Sequence, residues 1–192
     1  MRPSTENTSV LSSQGIPTSN TDVRLRALEP EDLELLYAIE NDMTLWQHAA
    51  TTVPYSRYVL RQYIAEAKYD LFQDGEVRLV AEANGTPHAL CDLTHFDPQH
   101  QRAEVGIVVL PQSLHQGHGQ RALKALEEYA HRLMLHQLYA IVADDNNPAI
   151  RLFRQRGFVP STPLKDWIKR SNQYVSATVW QKILSTDNFS FC

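Results

Sequence analysis

Hydrophobic and polar positions along this chain fall into short blocks whose period changes from two to three or four and back. In "VRLRAL", residues 23–28, apolar and charged residues alternate, as a strand with one buried face requires. In "EPEDLELLYAIEND" Leu33, Leu36 and Tyr37 recur at helical spacing behind Pro30 and a group of acids, which marks a first helix and its start. A second helix is predicted from Pro54 to about Leu71, where Tyr58, Leu60, Arg61, Ile64 and Ala65 mix aromatic and aliphatic contacts. "EVRLVAEANGTPHALCDLTHFD" reads as two strands joined through Asn84-Gly85, a hairpin turn. "RAEVGIVVL" is a further strand, and its nearly continuous apolar end predicts a buried central position. A helix follows with Ala122, Leu123, Leu126, Tyr129 or Ala130, and Leu133 on one stripe. "HQLYAIVA" is a strand and "NPAIRLFRQRG" a short helix between Pro148 and Gly157; "FVPSTPLKDWIK" and "YVSATVWQKIL" are the last two strands. This order predicts an α/β (α+β) domain. Its mixed, mostly antiparallel central sheet has about seven strands, flanked by four helices on both faces.

Residues 1–22 are rich in Ser and Thr with almost nothing to bury, so a disordered tail is expected there. The domain then spans 23–186, with a short C-terminal tail at 187–192. A formal net charge of −4 provides no positive field for nucleic acid or an anionic membrane, and favours a neutral or cationic substrate. No apolar run approaches the roughly 20 residues of a spanning helix and no signal pattern opens the chain, so a cytoplasmic location is expected. Cys91 and Cys192 form no disulfide framework, and the eight histidines include no HExxH spacing, so no metal is expected.

The chemistry begins at "PQSLHQGHGQRALKALEEYA". Gly117 and Gly119 stand where a strand-like run ends and a helix begins, in a chain with only seven glycines. Such a turn aims unpaired backbone N–H groups and the positive helix end at one point, a place for phosphate. The motif is neither a Walker loop, which needs Gly-Lys-Ser/Thr, nor a dinucleotide fingerprint, which needs a third glycine. Taken alone, the two glycines equally suit a plain strand-to-helix turn.

With its neighbours, "RAEVGIVVLPQSLHQGHGQRAL" followed by "LYAIVADDNNPAIRLFRQRGF", the stretch resembles the acyl-coenzyme-A binding core of the Gcn5-related N-acetyltransferases, the GNAT superfamily. Within it the chain most resembles the spermidine and ribosomal-protein acetyltransferase branch, from about Val23 to about Leu184. The resemblance implies acetyl-CoA as cofactor and direct transfer of its acetyl group to a primary amine, with a polyamine or similar small amine as acceptor. It implies that backbone groups of Val108, Val109 and Leu110 pair with the pantetheine arm. Likewise, N–H groups of Leu114, His115, Gln116, Gly117, His118, Gly119 and Gln120 cradle the pyrophosphate, and Asn146 lies near the thioester. Three departures stand out. Leu114 occupies the family's Arg or Gln position, although Gln116 is close; His115 and His118 add imidazoles to the loop; and Phe153 replaces the Tyr that protonates the departing thiolate.

An alkyl amine must lose a proton before it attacks a thioester, and a carboxylate can take it. Glu104, matching a branch Glu on the central strand, is the candidate catalytic base, the alternative being an exposed strand residue. Glu34, Tyr37, Glu40 and Trp46 are candidates for the acceptor site, with Trp167 as a further aromatic wall; acids there suit a polycation, although acids in a first turn also simply favour the helix dipole. Two other functions remain open: N-terminal or lysine acetylation of a protein, which needs an open groove, and a catalytically silent acyl-CoA-binding module. A homo-oligomer is expected.

Overall fold

Among the described residues seven strands form one sheet: β1 (Arg24–Ala27), β2 (Val77–Ala83), β3 (Thr86–Asp97), β4 (Arg102–Val109), β5 (Gln137–Ala143), β6 (Val159–Arg170) and β7 (Gln173–Ile183). Their order across the sheet is β1-β2-β3-β4-β5-β7-β6. All neighbours are antiparallel except β4 and β5. The helices are α1 (Leu33–Glu40), α2 (Arg57–Glu66), α3 (Leu71–Asp74), α4 (His118–Arg132) and α5 (Asn147–Gln155). This computed structural model describes residues 23–43, 53–170 and 172–184. Among them no helix is long and apolar enough to cross a membrane.

The expected seven-stranded mixed sheet is present, with helices on both faces. Leu36, Ile39, Leu60 and Ile64 of α1 and α2 pack on one face with Val80, Leu90 and Leu110. Ala122, Leu123, Leu126 and Ala130 of α4, with Phe153 of α5, cover the other face against Leu79, Ala81, Cys91 and Leu93. Strand β2 is accordingly buried on both sides.

The predicted second helix divides in two, so five α-helices stand among the described residues where four were expected. Ser56 caps α2 by accepting from the Val59 N–H at 3.2 Å. The helix ends at Glu66 because Tyr69 takes a left-handed φ of 55° and its hydroxyl donates to the Leu28 carbonyl at 2.9 Å. Asp70 then caps the single turn of α3. The first helix begins, as expected, behind Pro30, which opens a 3-10 turn at Pro30–Asp32. Asp32 accepts from the Glu29 N–H at 2.8 Å and from Arg26, tying the helix start to β1.

Candidate active site

Strand β4 has two different halves. It pairs with β5 through Arg102 with Gln137, Ala103 with Leu138 and Glu104 with Tyr139, and beyond Glu104 the two strands separate. On its other edge β4 stays paired with β3 up to Val109, and the Leu110 N–H continues the ladder to the His88 carbonyl at 2.9 Å. Antiparallel pairing alternates along a strand. Because Leu110 and Val108 face β3, the N–H and C=O of Val109 and Ile107 point into the gap left by β5. The strand end expected to be buried is therefore half-buried at Ile107, Val108 and Val109.

A loop closes the top of this gap. Gly117 is the N-cap of α4 with φ 75°, a left-handed value that side chains with a Cβ resist. Gly119 serves close approach instead: a Cβ there would lie 3.1 Å from Val109 Cγ2 and 3.6 Å from Leu152 Cδ1. The two glycines let the first turn of α4, with its unpaired N–H groups, press against the open half of β4. The fit to a diphosphate thus lies in the backbone, with the positive helix end behind it.

The loop forms one end of a cleft of about 1070 Å³. From Leu114, His115, Gly117, His118, Gly119 and Gln120 it runs along Ile107, Val108 and Val109 to a floor containing Glu40, Glu76, Arg78 and Asp92, walled by Tyr55 and Tyr63. Arg78 donates to both Asp92 oxygens at 2.8 and 3.0 Å and to Glu40. Burial works against its charge, but Asp92 and Glu40 more than offset this and the guanidinium stays protonated. Among the described residues the floor holds three carboxylates, Glu40, Glu76 and Asp92, and one guanidinium, Arg78.

Glu104 occupies the last rung before the strands separate, opposite Thr94 on β3 and Tyr139 on β5. Its side chain is 23% exposed, and Oε2 lies 3.2 Å from His95 Nδ1. Burial raises its pKa above the ordinary Glu value, while His95 and a backbone hydrogen bond from Ile141 pull the other way.

The acetyltransferase (GNAT) domain model matches residues 22–159, most of the described chain. The chain belongs to the GNAT acetyltransferase family. It is an acetyl-CoA-dependent N-acetyltransferase. It is 29% identical over 156 residues to spermidine N(1)-acetyltransferase of Escherichia coli strain K12, covering 81% of this chain and 82% of that one. Against the Vibrio cholerae spermidine N(1)-acetyltransferase the identity is 27% over 143 residues, covering 73% and 80%. A solved structure of the V. cholerae spermidine N-acetyltransferase in complex with CoA and spermine superposes with a TM-score of 0.75 at 24% identity, over 86% of this chain and 97% of that one.

In this GNAT cleft the predicted loop residues come together, with two adjustments. Gln116 is not on the wall; its side chain donates to the Gln112 carbonyl and its own carbonyl accepts from Arg121 at 3.0 Å. Leu110 is buried beneath α1 and α2, with its N–H spent on β3. Asn146 lines the cleft and caps α5, its side-chain oxygen accepting from the Ala149 N–H at 3.2 Å. Phe153 is 3% exposed and meets Phe158 edge-on, inside the core rather than on the cleft wall.

Of the acceptor candidates, Glu40 is on the floor. Glu34 points elsewhere, into an exposed pair with Arg57, whose guanidinium lies over the Tyr37 ring at 3.7 Å. Trp167 is 57% exposed on β6 and away from the cleft, and Trp46 lies outside the described residues. Sequence reasoning missed Arg78, Asp92 and His95, which reach the site only because β2, β3 and β4 are neighbours; the one advance signal for Arg78 and Asp92 was a charge inside an apolar strand.

Proposed function

We propose that the enzyme acetylates a primary amine of a polyamine or similar small polycation, with acetyl-CoA seated between β4 and β5. The observation that carries this reading is the polarity of the cleft: backbone N–H groups and a helix N-terminus at one end, a carboxylate-rich floor at the other. The spermidine acetyltransferases it resembles over four fifths of its length point to the same acceptor class.

When bound, acetyl-CoA supplies the acyl thioester. The first turn of α4 and the loop before it receive the diphosphate, and the edge groups of Val109 and Ile107 hold the pantetheine amides as an added strand would. A cationic acceptor is drawn to the floor by Glu40, Glu76 and Asp92, with Arg78 fixing two of these in place. An alkyl ammonium with a pKa of about 10.4 is uncharged in roughly four molecules per ten thousand at neutral pH, so a base is needed. Glu104 takes that proton, directly or through a water, and its raised pKa makes it a stronger base than an ordinary Glu. His95, 74% exposed and in contact with the Glu104 carboxylate, passes the proton to solvent. Phe153 offers no proton to the departing thiolate, which leaves as the anion of a group with pKa about 8.5.

Release of free thiol from acetyl-CoA in the presence of spermidine tests this reading. Turnover with spermidine and not with peptide amines is expected; turnover with peptides alone would transfer the proposal to a protein substrate.

A further inference from the structure

The cofactor loop carries a cluster of imidazoles that the backbone cradle does not need. His118, the first residue of α4, lies flat against His88 of β3, with ring centroids 3.6 Å apart and 13° between planes. His88 is held from behind: its Nδ1 is 2.8 Å from Oγ of Ser113, a buried serine in the 3-10 turn Pro111–Ser113. On the other side, Arg121 Nη2 lies 3.2 Å from His118 Nδ1. Both His118 and Ser113 line the cleft.

The geometry fixes the protonation state. A guanidinium has only donors, so His118 Nδ1 accepts from Arg121 and the proton of the neutral ring is on Nε2. Adding a proton at Nδ1 would set two N–H groups face to face. The elements packed here oppose the added charge, β3 through His88 and α4 through Arg121 and its positive end, while the loop brings His115 and α5 brings Arg151 to the same cleft. Among the described residues the carboxylates lining the cleft, Glu40, Glu76 and Asp92, belong to its floor. Burial, His88 and Arg121 accordingly hold the His118 pKa below its ordinary value.

We propose that His118 binds a phosphate of the cofactor as an imidazolium, with His88 and Arg121 as its positioning residues, so that cofactor binding takes up a proton. This rests on the reading that residues 114–120 receive the diphosphate. An anion arriving at the helix end reverses the local field and gives Arg121 a better acceptor than Nδ1. Arg121 Nε is buried without a hydrogen-bond partner, so its present arrangement leaves a donor unused. Once the guanidinium turns to the phosphate, Nδ1 is open to a proton from solvent, and the ring donates from Nε2 or Nδ1 to the anion. The proton returns to solvent when CoA leaves. The stack limits the pair to one added proton, since two imidazolium rings in contact repel.

Calorimetric titration of the full chain with CoA, in two buffers of different ionisation enthalpy at pH 7, reads the proton directly. The wild type is expected to take up several tenths of a proton to one proton more than His118→Lys, whose ammonium is charged before and after binding. Between pH 7 and 8.5 the wild-type Kd should rise by roughly tenfold, and that of His118→Lys by less than about twofold. His88→Phe keeps a stacked ring that cannot itself take a proton, so proton uptake should persist in this variant; its loss would assign the proton to His88 and overturn the inference. NMR of the His118 ring during CoA titration gives the same answer without a variant: the ring should move to its imidazolium shift. Equal proton uptake by wild type and His118→Lys, with a ring signal that stays neutral, overturns the inference and leaves the cofactor site intact. Absence of any CoA binding overturns the site itself.

Discussion

The two ends of the cleft are built from different materials. At the proposed cofactor end the groups facing the cleft are mainly backbone, with the His118 ring beside them: the open edge of β4, the left-handed Gly117 and the turn that Gly119 lets approach Val109 to contact distance. At the acceptor end they are side chains drawn from β2, β3 and α1, held by ion pairs such as Arg78 with Asp92 and Glu40. A diphosphate and a pantetheine arm are the same in every reaction, and fixed N–H groups suffice for them. The acceptor end needs charge in a particular pattern, and side chains supply it. Mutations should therefore separate the two ends cleanly.

The largest effect is expected at Glu104, on the last rung before β4 and β5 separate. Glu104→Gln should lower kcat by about 10²- to 10⁴-fold in a thiol-release assay while CoA affinity, measured by calorimetry, stays unchanged. Gly119→Val should do the reverse. Its side chain would press on Val109 and Leu152, and an overpacking cost of about 1–3 kcal/mol at this contact weakens CoA binding roughly tenfold to a hundredfold. Arg78→Met leaves Asp92 and Glu40 partly buried without their cation. A loss of about 2–3 kcal/mol in chemical denaturation is expected, with acceptor KM affected and CoA affinity not. The smallest effect is in the pH profile. His95 lowers the Glu104 pKa, so His95→Gln should raise it and move the acidic limb of kcat/KM to higher pH; a limb that stays in place would remove His95 from the proton path.

The same division decides what was legible in the sequence. The order of strands along the chain, the hairpin at Asn84-Gly85 and the helix that begins at the two glycines are local patterns of period and turn chemistry, and the structure has them. Gly117 and Gly119 marked the turn into that helix for the same reason. The break in the second helix was not legible, because it depends on Tyr69 reaching the Leu28 carbonyl across 41 residues. The acceptor end was read from acids on the first helix, yet Glu34 is occupied by Arg57 and only Glu40 turns to the floor. What completes that floor, Arg78 and Asp92, is a cross-strand pair set by the register of β2 against β3, which no local pattern reveals. The alternation along β4 likewise shows that Val109 and Ile107, rather than Val108 and Leu110, offer their backbone to the gap.

The central claim is that the separated half of β4 and the first turn of α4 form one backbone receptor for acetyl-CoA. Amide chemical shifts followed during CoA titration test it most directly. The account predicts that the N–H signals of Ile107, Val109, Gly117 and Gly119 move together and saturate at one equivalent. Saturable binding that leaves those four amides in place while others shift would contradict it.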